Sequence, residues 1–285
     1  MTQASSAIEL RAGELRLALR PDLGGAVAGL WRGELPVLRS VEPRALQHVG
    51  DAACFPLIPY SNRLGHRRFD WLGRRHTTAV NFPPMPHSLH GMGWQRPWQV
   101  ASAGDTDALI VLGHAPDDDW PFAFHAEQRF VLTPDGLRIE LSLRNDAPHP
   151  APIGLGWHPY FPKRARSRLQ AELRARWEAD ATMLPTHRVA QPGIDADVAQ
   201  LDLDDGFDGW QGPARIHDEQ LSLQLTSSLD RLVVYTPPHD PFFAVEPVSH
   251  ATNAIQMAEP TQHGLRSVAA GDSASAWMNL QVRPA

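Results

Sequence analysis

Two runs of alternating residues around an Asp-Gly turn restrict this chain more than any other stretch. From Phe122 to Leu132, the residues Phe124, Ala126, Gln128, Phe130 and Leu132 recur at a spacing of two. After Asp135-Gly136 the alternation resumes as Leu137-Arg138-Ile139-Glu140-Leu141-Ser142-Leu143. A period of two belongs to a strand, whose successive side chains point to opposite faces, and Asp-Gly suits a tight hairpin. A hairpin of this length needs further strands beside it and a second layer over its apolar face.

The rest of the chain repeats the pattern on a shorter scale. Its 26 prolines and 21 glycines are spread along the sequence and cut it into short segments. Ile8-Glu9-Leu10 and Leu15 to Leu19 flank Ala12-Gly13 as a hairpin; Asp22-Leu23-Gly24-Gly25 is a turn before a strand from Ala26 to Leu30. A second hairpin is predicted from Arg68 to His76, and further strands at 109–112, 221–225, 232–235, 242–245 and 276–282. Leu169, Ala171, Leu173, Ala175 and Trp177 alternate, so residues 169–177 are read as one strand. Asp202 to Asp208 reads as an exposed acidic turn. No long amphipathic helix, repeat or linker interrupts this. The expectation is an all-β chain, a large antiparallel β-sandwich spanning residues 1–285 as one domain.

Bulk properties narrow the partners. A net charge of −6 disfavours nucleic acid and acidic membranes, both of which call for basic patches. Arginines gather at Arg63, Arg67, Arg68, Arg74 and Arg75 and at Arg164, Arg166 and Arg168, but acidic residues dilute them into solvated strand faces. Cys54 is the only cysteine, which excludes an intramolecular disulfide and reads as a buried, inert thiol. Met1 to Ser6 lack a basic-then-apolar leader pattern, and no apolar run reaches bilayer-spanning length. The expectation is a soluble cytoplasmic protein; oligomeric state is not encoded legibly.

Four stretches place polar residues among turns and aromatics. They are Pro56-Leu57-Ile58-Pro59-Tyr60-Ser61-Asn62-Arg63, His87-Ser88-Leu89-His90-Gly91-Met92-Gly93-Trp94, Gly154-Leu155-Gly156-Trp157-His158-Pro159-Tyr160-Phe161-Pro162, and Val245-Glu246-Pro247-Val248-Ser249-His250-Ala251-Thr252-Asn253. A following proline holds both His158 and Glu246 in extended geometry. Each residue also has a plainer reading: Arg63 on a surface turn, His158 as a satisfied core histidine, Glu246 as a loop carboxylate. His87 and His90 fit no strong metal motif, with no HExxH and no cysteine pair nearby.

Taken together, FPLIPYSNRLG, LHGMGWQRPW, GWHPYF and AVEPVSHATNA resemble, in order, the motifs of the aldose 1-epimerases, or mutarotases, of the galactose mutarotase-like superfamily. The resemblance runs from Gly24-Gly25 to the last strand. It implies a sugar cleft across one sheet of a β-sandwich, with His158 as general acid and Glu246 as general base. It also implies that Arg63 binds sugar hydroxyls, that Asn62 shapes its turn, and that His90 holds the ring-oxygen side. The family's sugar-binding aspartate falls on Asp204, with Asp205 and Asp208 as near neighbours. Met92-Gly93 after His90-Gly91 departs from the glycine found in many relatives.

The implied reaction, exchange of the α and β anomers of a free aldose, needs no cofactor, metal or redox change. A carboxylate takes the C1 hydroxyl proton while an acid protonates the ring oxygen. Ordinary values of about 4.3 for glutamate and about 6.5 for histidine bracket those roles. At neutral pH the histidine needs a raised pKa or a neutral N–H donor. Trp94, Trp98, Tyr160 and Phe161 can stack on a sugar or pack in the core. Competing readings are a sugar-phosphate epimerase using Arg63, Arg67 or Arg96, a glycoside hydrolase pairing Glu246 with Asp204 or Asp240, and a non-catalytic carbohydrate-binding protein.

Overall fold

The 122–143 hairpin forms, with Phe124–Thr133 paired to Gly136–Asn145 and the register closing at Thr133 opposite Gly136. The turn therefore sits at Pro134-Asp135, one residue earlier than the Asp-Gly reading places it. Phe124, Ala126, Phe130 and Leu132 are buried, as are Leu137, Ile139, Leu141 and Leu143. The computed structural model describes residues 7–285; Met1 to Ser6, where the leader pattern was sought, lie outside them.

This hairpin lies within a nine-stranded antiparallel sheet. Its neighbours on one side are Asp107–His114 and Gln99–Ala103. On the other side Ser273–Pro284 pairs with Gly136–Asn145, and Leu221–Ser227, Gln211–His217, Arg168–Glu172 and Ile194–Asp197 follow. A six-stranded sheet runs in the order Tyr160–Pro162, Phe242–Val248, Arg231–Tyr235, Asp204–Asp208, Ala175–Ala179, Pro185–Ala190. A four-stranded sheet, from Ile8–Ala12 to Leu35–Pro36, carries the predicted first hairpin. Among the described residues the helices are short 3₁₀ turns. The fold is the expected large antiparallel β-sandwich.

One hydrophobic cluster joins the layers. It takes Ile139 and Leu141 from the nine-stranded sheet, Leu17 and Leu19 from the first sheet, and Phe207, Leu232, Val234, Phe243 and Val245 from the six-stranded sheet. Alternation then sends Ala244, Glu246, Val233, Tyr235, Asp204 and Gly206 to the opposite face of the six-stranded sheet. A smaller cluster containing Phe55, Leu57, Trp94, Val233 and Val248 packs there.

Two sequence expectations change. Residues 169–177 are two strands, with Arg168–Glu172 in the nine-stranded sheet and Ala175–Ala179 in the six-stranded one. Leu169, Ala171, Leu173, Ala175 and Trp177 are nevertheless all buried, so the chain changes sheets without breaking its alternation. The acidic turn at 202–208 is instead a strand from Asp204 to Asp208 between two others. Its charges are tolerated because basic partners meet them: Asp204 pairs with Arg63 at 3.0 Å and Asp208 with Arg231 at 2.9 Å.

The predicted turn at Gly24 fixes the first sheet to the rest. Gly24 has φ of +71°, and an added Cβ would lie 1.9 Å from the carbonyl oxygen of Trp94. Gly33 has φ of +57° with nothing within 4 Å of such a Cβ. Gly33→Ala is therefore expected to cost about 1–2 kcal/mol, the left-handed backbone cost alone. Gly24→Ala adds an overpacking cost, bringing the loss to about 3 kcal/mol or more. Urea unfolding of the two variants checks this; equal losses would mean that the Trp94 backbone yields freely.

Candidate active site

Glu246 occupies a position that a carboxylate rarely takes, the interior of a strand in the middle of a sheet. It pairs with Val233, which pairs with Gly206. The adjacent row on the same face is Tyr160, Ala244, Tyr235 and Asp204. Gly206 and Val233 beside Glu246, and Ala244 two residues before it, are small or short, and the larger polar side chains stand around them. The Glu246 side chain is only 2% exposed.

His158 reaches the same place from the turn before Tyr160–Pro162. Its backbone N–H donates to Phe55 O at 3.0 Å, and Trp157 N–H donates to Pro247 O at 3.2 Å. The imidazole packs against the rings of Phe55 at 4.8 Å and Tyr160 at 4.3 Å, which also approach each other at 6.3 Å, with the His90 ring edge-on at 5.3 Å. Trp94 stacks on Phe55 at 5.4 Å. Nε2 of His158 is 3.2 Å from Oε1 of Glu246. The two proline-held residues that the sequence singled out are thus neighbours.

Asn62 and His90 build the adjoining wall. Both have positive φ, 58° and 60°, a region that asparagine and histidine enter more readily than most residues. His90 N–H donates to Asn62 O at 2.8 Å, and Asn62 N–H donates to Nδ1 of His90 at 3.0 Å. Because Nδ1 accepts, the proton of the neutral ring sits on Nε2, which is left free to donate. Asn62 Oδ1 accepts from the backbone N–H and Nη1 of Arg63, aiming the guanidinium at Asp204.

These residues line one pocket of about 290 Å³, together with Gly50, Phe55, Phe82, Leu89, Trp94, Tyr160 and Tyr235. That is near the lower end of small-molecule sites, roughly 300–1,000 Å³. His158 Nδ1, Glu246 Oε2 and Arg63 Nε have no hydrogen-bond partner in the protein. Buried polar atoms are ordinarily satisfied, so three such atoms on residues of one pocket are an exception to that rule.

Burial sets the charge state. It pushes the Glu246 carboxyl well above the usual range, with Asp204 adding and Arg63 opposing. It pushes the His158 imidazole well below 6.5, with His90 and then Arg39 adding. The raised histidine pKa that an imidazolium acid requires is therefore not found. The pair favours a carboxylic acid beside a neutral imidazole. That form has the same proton count as a carboxylate beside an imidazolium, so moving one proton interconverts them.

All six residues singled out from sequence, His158, Glu246, Asn62, Arg63, His90 and Asp204, line this pocket. Asp205 shares the face of Phe207 and lies 3.9 Å from Arg176, while Asp208 is occupied by Arg231 and the indole N–H of Trp177. Asp240 is exposed in a turn. His87 accepts from His66 N–H through Nδ1 and donates to Thr182 O through Nε2, leaving no nitrogen for a metal. Cys54 is fully buried, and burial pushes its thiol pKa up. Trp98 and Phe161 pack in the core, whereas Trp94 and Tyr160 join the lining. Phe55, Phe82 and Tyr235 were not singled out. Only Phe82, a proline-flanked aromatic left 43% exposed, carries a local trace of its place at the rim.

Known proteins resemble this chain over nearly its whole length. Residues 6–281 match a family model described as aldose 1-epimerase. YphB of Escherichia coli K12, an uncharacterised protein, is 32% identical over 287 residues, covering 95% of this chain and 96% of YphB. A crystal structure from E. coli K12 that carries a provisional aldose 1-epimerase name superposes with a TM-score of 0.90. Its identity is 30%, with 98% of this chain and 99% of that chain covered. A galactose mutarotase-like protein of Clostridium acetobutylicum shares the fold, with a TM-score of 0.84, 18% identity and coverage of 98% and 95%.

The buried histidines make stability fall with acid. Burial lowers His90 to about 3, with Arg63 adding, and His250 to about 4. Unfolded, each titrates near 6.5, so below that value the unfolded chain binds a proton that the folded chain does not. Each then removes about 1.4 kcal/mol of stability per pH unit as pH falls, until its native value is reached. Lowered His158 acts in the same direction. Glu246, raised, acts in the opposite direction above about 4.5 and offsets one histidine. Urea unfolding at pH 7.0 and 5.5 is expected to show a clear loss at the lower pH; equal stabilities would mean that these imidazoles are not held neutral.

Proposed function

The chain belongs to the aldose 1-epimerase family, and we propose that it interconverts the α and β anomers of a free aldose with His158 and Glu246 as its acid/base pair. The observation that carries this reading is the 3.2 Å approach of His158 Nε2 to Glu246 Oε1 in a pocket also lined by Arg63, His90 and Asp204.

The proton balance is as follows. Glu246, as carboxylate, takes the proton of the C1 hydroxyl. His158, as imidazolium, gives its proton to the ring oxygen, and the C1–O5 bond breaks. The pair is left as carboxylic acid and neutral imidazole, the form that burial favours. The site is therefore best suited to the open-chain aldehyde, the species that must form for the anomers to exchange. Rotation about C1–C2 presents the other carbonyl face, and the same two transfers run backwards to close the ring.

The remaining residues hold the sugar. His90 keeps Nε2–H free for a sugar oxygen, and its low pKa keeps it from competing as an acid. The Arg63–Asp204 pair, 14% and 32% exposed, offers donors and acceptors to ring hydroxyls at the pocket mouth. Free sugars are favoured over sugar phosphates. Among the described residues Arg63 is the only arginine in the lining, and it already faces Asp204; Arg67 is outside it, and Arg96 is committed to Asp117 and Asp119.

Freshly dissolved α-D-glucose and α-D-galactose, followed by polarimetry or exchange NMR, provide the test. Wild type is expected to speed equilibration, and His158→Gln and Glu246→Gln each to lose about 10²- to 10⁴-fold. Asp204→Asn is expected to raise KM more than it lowers kcat. A wild type no faster than buffer, across pentoses, deoxysugars and sugar phosphates as well, would overturn the enzyme reading in favour of a carbohydrate-binding protein. Activity surviving Glu246→Gln would remove that residue's role alone.

A further inference from the structure

Arg39 is an arginine that the reaction above does not use, and its placement is specific. Its Nη2 donates to Gly50 O at 2.5 Å and Ala52 O at 2.7 Å, and its Nε has no partner. Its guanidinium carbon lies 3.8 Å from the centre of the Tyr160 ring and 4.5 Å from that of Phe242. These two rings meet edge to face at 5.2 Å. Arg39 N–H also donates to Tyr160 O at 2.8 Å. Among the described residues no carboxylate comes within ion-pair distance of Arg39; Asp51 and Asp240 act on it only from further away. The same Tyr160 ring lies 4.3 Å from the His158 ring, centre to centre. A clamped cation without an ion-pair partner among the described residues and the His158 imidazole therefore both pack against the Tyr160 ring.

We propose that Arg39 is a positioning residue for this site: clamped by two carbonyls and stacked on Tyr160, it braces the ring against His158 and opposes a positive charge on that imidazole while the pocket is empty. The proposal rests on His158 and Glu246 being the acid/base pair. A guanidinium over an aromatic face is attracted to it, so the same contact orients Tyr160. Repulsion between two cations favours the neutral imidazole and leaves the shared proton on Glu246. The hydrogen bonds to Gly50 and Ala52 add a second effect, because Gly50 is part of the pocket lining.

Other charged and titratable groups face His158 and must be held constant. Glu246 and His90 are in contact with it, Tyr160 stacks on it, and the Cys54 thiol meets its backbone. Arg63 and Asp204 act through Glu246. None of these is altered in Arg39→Met, which retains bulk and removes charge, or in Arg39→Lys, which retains charge.

The experiment is a pH titration of the His158 imidazole by NMR in histidine-labelled protein, with the resonance assigned by its loss in His158→Gln. In Arg39→Met the imidazole is expected to take up its proton at higher pH than in wild type; Arg39→Lys is expected to stay near wild type. The pH profile of kcat/KM is expected to shift its acid limb in the same direction. At pH 7, kcat/KM is expected to fall about tenfold to a hundredfold in Arg39→Met and to recover largely in Arg39→Lys. Unchanged His158 behaviour in Arg39→Met, whether titrating or silent, would overturn the proposal, as would a uniform loss of activity with the limb unmoved. If Arg39→Met does not fold, Arg39→Gln in the same titration decides: an imidazole that behaves as in wild type would overturn the proposal. The titration needs no turnover, so failure of the epimerase reading and failure of the Arg39 proposal are separable.

Discussion

Two ionisable groups face each other with almost no exposed surface, and most of the site follows from that. A buried carboxyl and a buried imidazole, each alone, would resist carrying charge. Placed 3.2 Å apart they can exchange one proton without changing the net charge of the pocket. Burying them takes a cluster of rings, Trp94, Phe55 and Tyr160 around His158, and a sheet face with short side chains beside Glu246. Polar residues that tolerate solvent, Arg63 and Asp204, stand at the mouth.

The six-stranded sheet is what sorts these requirements. One face supplies Phe207, Leu232, Phe243 and Val245 to the main core. The other supplies Glu246, Tyr235 and Asp204 to the pocket. A slip of one residue in any pairing would exchange the two sets. Stability and chemistry are thus drawn from the same strands by parity alone, and the apolar face holds the register that the polar face needs.

Much of this was legible in the sequence, for physical reasons that also explain the omissions. The strand hairpins were readable because alternation and turn residues are local signals. His158 and Glu246 were readable because a following proline marks each, and because four motifs in order resemble one family. The change of sheets within residues 169–177 was not readable, since Leu173 and Ala175 keep the period of two across the bend. The strand at Asp204 was hidden because the cation that meets its first residue, Arg63, lies 141 residues away. Phe55, Tyr235 and Arg39 act through rings and carbonyls brought together only by the fold. Nothing in their neighbouring residues distinguishes them from ordinary core or surface positions.

The order of strands also bears on when the molecule can become whole. Ser273–Pro284 lies between Gly136–Asn145 and Leu221–Ser227 and pairs with both. During synthesis those two strands emerge long before their shared neighbour. Until it arrives, each has one edge of unpaired backbone, and the larger sheet exists as two pieces. The keystone is thus made after every other strand of its sheet. Early domain-like folding on the ribosome is closed to this layer, and the nascent chain must be kept from pairing those edges with other chains.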